Sequence, residues 1–158
     1  MVTWPQVPID TAKAYDMCFG CGRNNPIGFK LNFSWDGRTA STEFTPTKFY
    51  QGWSGFVHGG IIICMLDEAM GYAALFGGKH CVTARMQARL RRPVPIDEPL
   101  IITSSIIKNT RRLVETKAAI SLKDGTLVAE GKATQFVIGI ESGGAGNKKV
   151  ESENDVQG

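Results

Sequence analysis

The sequence contains no apolar run of membrane-crossing length. Its longest mostly apolar stretch, Phe56 to Leu66, is broken by His58-Gly59-Gly60 and falls well short of the roughly 20 residues a spanning helix needs. The amino terminus, Met-Val-Thr-Trp-Pro, has neither the basic patch nor the apolar core of a secretion signal. A cytoplasmic protein with no membrane span is therefore expected. Charge of one sign is also scarce. The net charge is +3, without the dense basic patch that nucleic-acid binders concentrate, so no nucleic-acid partner is expected. Histidine numbers two and cysteine four. His80 has no metal-ligand companion in the sequence. Cys18-Phe19-Gly20-Cys21 has the two-residue gap of half a zinc site, but no second pair with that spacing exists. No βαβ pattern surrounds it, so a thioredoxin-like role lacks support. A structural turn is the favoured reading, with metal binding or redox chemistry as the alternative. Four cysteines without a framework spacing suit a compartment that keeps thiols reduced.

Several catalytic motifs are missing too. A serine hydrolase wants a nucleophile elbow of the Gly-x-Ser-x-Gly type, and Gly52-Trp53-Ser54-Gly55 does not supply one. Gly20-Cys21-Gly22-Arg23-Asn24-Asn25 lacks the third glycine and the preceding strand of a dinucleotide loop. There is no phosphate-binding P-loop.

What remains is a chain of 158 residues, 42% hydrophobic and 21% charged, which is globular composition and one domain's worth of chain. Residues 1–16 read as an arm, 17–140 as the folded domain, and 141–158, poor in apolar residues, as a disordered tail. Phe29, Leu31, Phe33 and Trp35 alternate with polar residues as a half-buried strand does. Asp36-Gly37 supplies a hairpin turn into Ala40, Thr42 and Phe44. A second alternation sets Val82, Ala84, Met86, Ala88 and Leu90 on one face and Thr83, Arg85, Gln87, Arg89 and Arg91 on the other. Leu100 to Ile107 is a β-branched run, Val114 to Leu122 alternates again, and Asp124-Gly125 turns the chain into a last strand near 126–138. Between the second and third strands, Gly59 to Leu75 is too long for a strand and apolar on nearly every face, which marks a helix buried all round. Gly77-Gly78 ends it. The expected class is α+β: an antiparallel sheet wrapped around one long buried helix.

Asp67 and Glu68 are the only charges in that helix. Burying an ionised carboxylate without a partner costs several kcal/mol, so each needs a reason to be there. Adjacent helix positions lie about 100° apart and cannot share one environment. Asp67 shares its stripe with Gly60, Gly71 and Ala74, whereas Glu68 lies with Ile61, Met65, Tyr72 and Leu75. The small-residue stripe gives Asp67 the more open site and makes it the preferred catalytic acid, with Glu68 second. His58-Gly59-Gly60 opens the helix, whose first N–H groups lack internal partners and carry partial positive charge. Such an end can hold a phosphate or a developing oxyanion. The plainer reading is a glycine-rich turn with His58 packed on Trp53 or Phe56. The two small arginine clusters, Arg85, Arg89, Arg91 and Arg92 and then Arg111-Arg112, suit a phosphorylated small molecule as well as a polymer, and the plainer reading is a solvated strand face.

The run Tyr50-Gln51-Gly52-Trp53-Ser54-Gly55-Phe56-Val57-His58-Gly59-Gly60, followed by Met65-Leu66-Asp67-Glu68-Ala69-Met70-Gly71, resembles the hotdog-fold acyl-CoA thioesterases. It is most similar to the branch named for phenylacetate degradation, within the 4-hydroxybenzoyl-CoA thioesterase superfamily. Cys18-Phe19-Gly20-Cys21-Gly22, Asn25-Pro26-Ile27-Gly28, Thr83-Ala84-Arg85 and Arg91-Arg92-Pro93-Val94-Pro95 agree with it, so the likeness covers about residues 17–138. The resemblance implies a hotdog fold and hydrolysis of an acyl-CoA or aroyl-CoA. It casts Asp67 as general base or nucleophile, the Gly59 N–H as the group that polarises the thioester carbonyl, and Thr83 as a hydroxyl that orients water. His58 and Gly60 flank the substrate, and Arg91 and Arg92 meet coenzyme A phosphates. No metal or organic cofactor is expected in that chemistry. A non-catalytic acyl-CoA-binding module and a hotdog hydratase or dehydratase are the alternatives. Gly59 and Asp67 are eight residues apart, about 12 Å along a straight helix. One carbonyl cannot touch both within one chain, so a homodimer or a dimer of dimers is expected.

Overall fold

In a computed structural model, which describes Ile9 and residues 15–140, the alternating segments become the strands of one sheet. Nearly all of the expected arm and the whole expected tail lie outside the described residues. The strands are β1 (Ser34–Trp35), β2 (Thr39–Phe44), β3 (Lys79–Leu90), β4 (Leu100–Asn109), β5 (Leu113–Leu122) and β6 (Leu127–Ile140), with helix α1 (Gly59–Phe76) between β2 and β3. Every pairing is antiparallel, and the sheet order is β1-β2-β4-β5-β6-β3. The β1–β2 turn forms as its sequence requires: Asp36 Oδ1 accepts from the N–H groups of Arg38 and Thr39 at 2.8 and 2.7 Å, and Gly37 takes φ +95°.

The first strand is shorter than its alternation suggests. Phe29, Leu31 and Phe33 are buried as expected, but only Ser34 and Trp35 join the sheet. The reason is local. The Phe29 and Leu31 N–H groups donate to Phe19 O and Gly20 O, both at 2.9 Å, and Lys30 adopts φ +57°. That stretch therefore pairs with the loop carrying Cys18 and Cys21, while its side chains still fill the core.

α1 has 18 residues, about 27 Å of helix. By length and composition it could cross a membrane, which corrects the expectation that no segment reaches that length. Here it lies on the sheet, mainly against β3, β4 and β5. Its start is capped by His58, whose Nδ1 accepts the Gly60 N–H at 2.9 Å. Its end is closed by Gly77 and Gly78, whose N–H groups reach Ala73 O and Leu75 O, with Gly78 at φ +84°.

Burial all round is not what one chain provides. Ile62, Met65, Leu66, Ala69, Met70, Ala73 and Ala74 form a single buried stripe against the sheet. The opposite face, with Ile63 at 39% exposure, is apolar yet uncovered by the described residues. The periodicity could not separate a helix buried by its own sheet from one buried partly by a second surface. The architecture of the described residues is the hotdog arrangement: six antiparallel strands around one long helix.

Candidate active site

Asp67 projects from the middle of α1 toward β3, where the Thr83 hydroxyl donates to its Oδ1 at 2.8 Å. Strict alternation would turn Thr83 away from the helix with Arg85 and Gln87. The ladder does not alternate strictly there. Thr83 pairs with Gln135 and Arg85 with Thr134, a register shift that places Ala84 in a β-bulge. The extra residue rotates Thr83 toward the helix while Arg85 stays outside, the way bulges re-aim side chains beside sites. One carboxylate oxygen of Asp67 is thus fixed by a hydroxyl donor. Gln135, opposite Thr83, is buried to 1% exposure and accepts from Thr116 Oγ1. Nothing in the strand pattern singled out this buried amide except its polarity at an inward position.

The stripe that was expected to open around Asp67 is divided. A Cβ on Gly71 would meet nothing within 4 Å, but Ala74 is 1% exposed and belongs to the core. Glu68 points elsewhere, as the 100° offset requires. Its carboxylate receives the Cys18 thiol at 3.6 Å on Oε1 and lies with Cys21 under the backbone of Gly20. With Tyr72, Leu75, His80 and Cys81 these groups line a cavity of about 240 Å³. Burial, with help from Glu68, pushes the Cys21 thiol well above its ordinary range.

At the start of α1 the backbone donors divide between two uses. The Gly60 N–H is taken by His58 Nδ1, so the imidazole carries its proton on the other nitrogen, a tautomer assigned from the bond itself. Ile61 and Ile62 donate to His58 O. Among the described residues no hydrogen bond takes the Gly59 N–H. Gly59 lines a hollow of about 530 Å³ together with Arg91, Arg92, Trp53, Phe56 and Leu90. The structure therefore brings Gly59, Arg91 and Arg92 to one place and Asp67 and Thr83 to another. Arg91 pairs with Glu130 at 2.6 Å, with both side chains partly exposed, a contact of small net worth that a phosphate can replace. Trp53, 89% exposed, was not singled out from sequence as a lining residue. The signal was an aromatic pair, Trp53 and Phe56, set between glycines. A larger hollow, about 770 Å³, lies on the sheet and is lined by polar residues such as Gln87, Lys117 and Lys132. It contains neither Asp67, Thr83, Gly59, Arg91 nor Arg92, so size does not mark the site.

Two further thiols sit close by. Burial, then the carboxylates of Glu68 and Asp67, push Cys64 up to about 11. Burial does the same for Cys81, to about 11, against the opposing charge of Lys79. Compared with an ordinary thiol, the thiolate population at pH 8 then falls about 100-fold, and the greater nucleophilicity of a more basic thiolate offsets about tenfold of that. Both should alkylate about tenfold more slowly than a free cysteine and accelerate until the pH passes 11. Site-resolved mass spectrometry across pH 7 to 11.5 measures this, and a plateau by about pH 9 would contradict it.

Residues 54–129 match the thioesterase superfamily model. Over 94 residues, 60% of this chain, the sequence is 29% identical to the acyl-coenzyme A thioesterase THEM4 of Xenopus laevis, and that match spans 42% of the Xenopus protein. A Streptococcus mutans protein solved with acetyl CoA superposes with a TM-score of 0.67 at 18% identity, covering 71% of this chain and 91% of that one. The PaaI protein of the E. coli phenylacetic acid degradation operon superposes with a TM-score of 0.67 at 20% identity, covering 72% and 83%. At these identities the two structures speak for the fold, and it is the same fold. Residues 54–129 are thus similar to the thioesterase superfamily, and the helix and sheet have the fold of these two solved structures.

Proposed function

We propose that the protein hydrolyses an acyl-CoA or aroyl-CoA thioester to the free acid and coenzyme A. The observation that carries this reading is the Asp67–Thr83 pair. The hydroxyl holds Oδ1 and leaves Oδ2 to take a proton from water, which attacks the thioester carbonyl carbon. The oxygen of that carbonyl becomes an oxyanion beside the unused Gly59 N–H at the positive end of α1. Collapse of the tetrahedral intermediate breaks the C–S bond, and the coenzyme A thiolate takes up a proton. Asp67 attacking the carbonyl directly, with the acyl-enzyme then hydrolysed, is the other course the geometry permits. Arg91 and Arg92 receive phosphates of the substrate, and Trp53 offers a flat face for its base. Within the superfamily, the run from Tyr50 to Gly71 favours the branch named for phenylacetate degradation. Four free thiols suit a reducing compartment such as the cytoplasm.

The site is completed by a second copy of the chain. β3 ends the sheet, and its 12 residues pair only with β6 among the described residues. A long free edge is a template for another strand. Beside it lies the uncovered face of α1 with Ile63, Cys64, Asp67 and Gly71. A two-fold axis along this edge sets the partner's helix start near Asp67. His58, engaged as a helix cap, does not offer the histidine–acid pair that a hydratase wants.

A panel of short-chain, long-chain and aromatic acyl-CoA substrates, assayed for release of the free thiol, tests the activity. Turnover of at least one substrate class at about 1 s⁻¹ or more is expected. Saturable binding of the whole panel without thiol release would instead make the protein an acyl-CoA-binding module.

A further inference from the structure

The Cys18–Cys21 pair falls outside the chemistry described for Asp67, and the fold supplies it with what its spacing lacked. Glu68, 50 residues along the chain, brings a carboxylate to the two thiols, so that one ligand atom from each residue lies within 4.8 Å of the others. The turn is built for this convergence. A Cβ on Gly22 would sit 2.5 Å from Cys18 N and 2.6 Å from Cys18 O, and a side chain on Gly20 would strike the Glu68 carboxylate. Only glycine at both positions lets the loop close over Glu68 with the sulfurs facing it. Phe19 stacked edge-on against Phe29, at 4.8 Å between ring centres, and the bonds from Phe29 and Leu31 to the loop carbonyls hold it there.

We propose that Cys18, Cys21 and Glu68 bind one zinc-like divalent cation, with water in the fourth position. A tetrahedral zinc with sulfur at about 2.3 Å and oxygen at about 2.0 Å separates sulfur from oxygen by about 3.5 Å and sulfur from sulfur by about 3.8 Å. Cys18 Sγ and Glu68 Oε1 already stand 3.6 Å apart, and the widest ligand pair needs a contraction of no more than about 1.3 Å. All three residues are half-buried, and the fourth position faces the 240 Å³ cavity with His80 and Tyr72 on its wall. Two thiolates select a soft or borderline cation over magnesium or calcium. Binding releases the two thiol protons. The ion ties the 18–22 loop to the middle of α1, one residue from Asp67.

The test uses the full chain, reduced with a phosphine, stripped with chelator and titrated with cobalt(II). One equivalent should bind per chain with a thiolate-to-cobalt charge-transfer band, and zinc should displace it. Cys18→Ser and Cys21→Ser should each weaken zinc binding at least about tenfold and diminish the band, and Glu68→Gln should weaken binding about tenfold while keeping it. Cys64→Ser and Cys81→Ser should leave both unchanged. Zinc should raise the thermal midpoint of the metal-free wild type and not of the Cys18→Ser variant. Absence of the band in wild-type protein with four titratable thiols overturns the site. Zinc binding undiminished by Cys18→Ser and Cys21→Ser overturns it as well, and the wild-type spectrum alone decides the matter if a variant fails to fold. Thioesterase activity enters none of these readouts, so this site and the proposed hydrolysis stand or fall separately.

Discussion

Asp67→Asn should lower turnover about 10²- to 10⁴-fold, the range that a positioned general base contributes, with little change in fold or in binding of coenzyme A. Asparagine keeps an oxygen that can accept from Thr83 Oγ1, now 2.8 Å from the carboxylate, so the helix–strand contact survives while the basic oxygen is lost. Thr83→Ala tests the positioning role. A hydrogen bond to a charged group contributes about 1.5–3 kcal/mol, so kcat should fall about tenfold to a hundredfold, and Thr83→Ser should recover most of it. Steady-state kinetics, with circular dichroism as the check on folding, measure all three. Undiminished turnover in Asp67→Asn together with loss in Glu68→Gln would transfer the role to the neighbouring acid. A single turnover in ¹⁸O-labelled water distinguishes the courses where the label enters Asp67. Label in the Asp67 peptide means nucleophilic attack with water opening the anhydride at the aspartyl carbon. Label in the product acid alone is the result for general-base catalysis or for an anhydride opened at the acyl carbon, and hydroxylamine trapping of an acyl-enzyme separates those two.

The sequence made the order of elements legible because two different periods coexist in it. Strands alternate every second residue, and the single apolar run of helical length interrupts them once. Glycine and aspartate at 36–37 and 124–125 placed the hairpins for the reason that the structure confirms at Asp36. What stayed hidden was whatever depends on partners distant in the chain. Phe29 to Phe33 read as a strand because its side chains alternate, yet its backbone bonds the Cys18–Cys21 loop. Period two reports which way side chains face and not what the N–H groups reach. The bulge at Ala84 was invisible because one extra residue leaves composition unchanged while it reverses the face of Thr83. The resemblance named Thr83, but only the register shift explains how it meets Asp67. The separation of Asp67 from Glu68 was readable from 100° of helix, whereas Glu68 converging on two cysteines was not, since it stands 50 positions from Cys18 in the chain.

Mixing two inactive proteins should restore activity if the site spans two chains. Asp67→Ala removes the carboxylate. Gly59→Pro removes the N–H, and the position tolerates it in principle: Gly59 is the first residue of α1, where proline is accepted, and His58 already has the extended backbone, φ −62° and ψ 135°, that proline demands of its predecessor. Gly59→Ala is the control. It keeps the N–H, and the atom its methyl meets is the flexible end of Leu90 at 3.1 Å, so most activity should remain. Each parent homodimer has two damaged sites. In a mixed dimer, one site pairs an intact Gly59 with an intact Asp67 and the other carries both lesions. Random exchange makes about half the dimers mixed, so activity should approach roughly a quarter of wild type. Native mass spectrometry follows the exchange. Within one chain, about 12 Å of helix lies between the two groups, and a carbonyl held at about 3 Å from the Gly59 N–H stays beyond the reach of its own Asp67. Verified exchange with no recovered turnover would therefore mean that the helix start does not hold the oxyanion, and that the donor opposite Asp67 comes from the same chain.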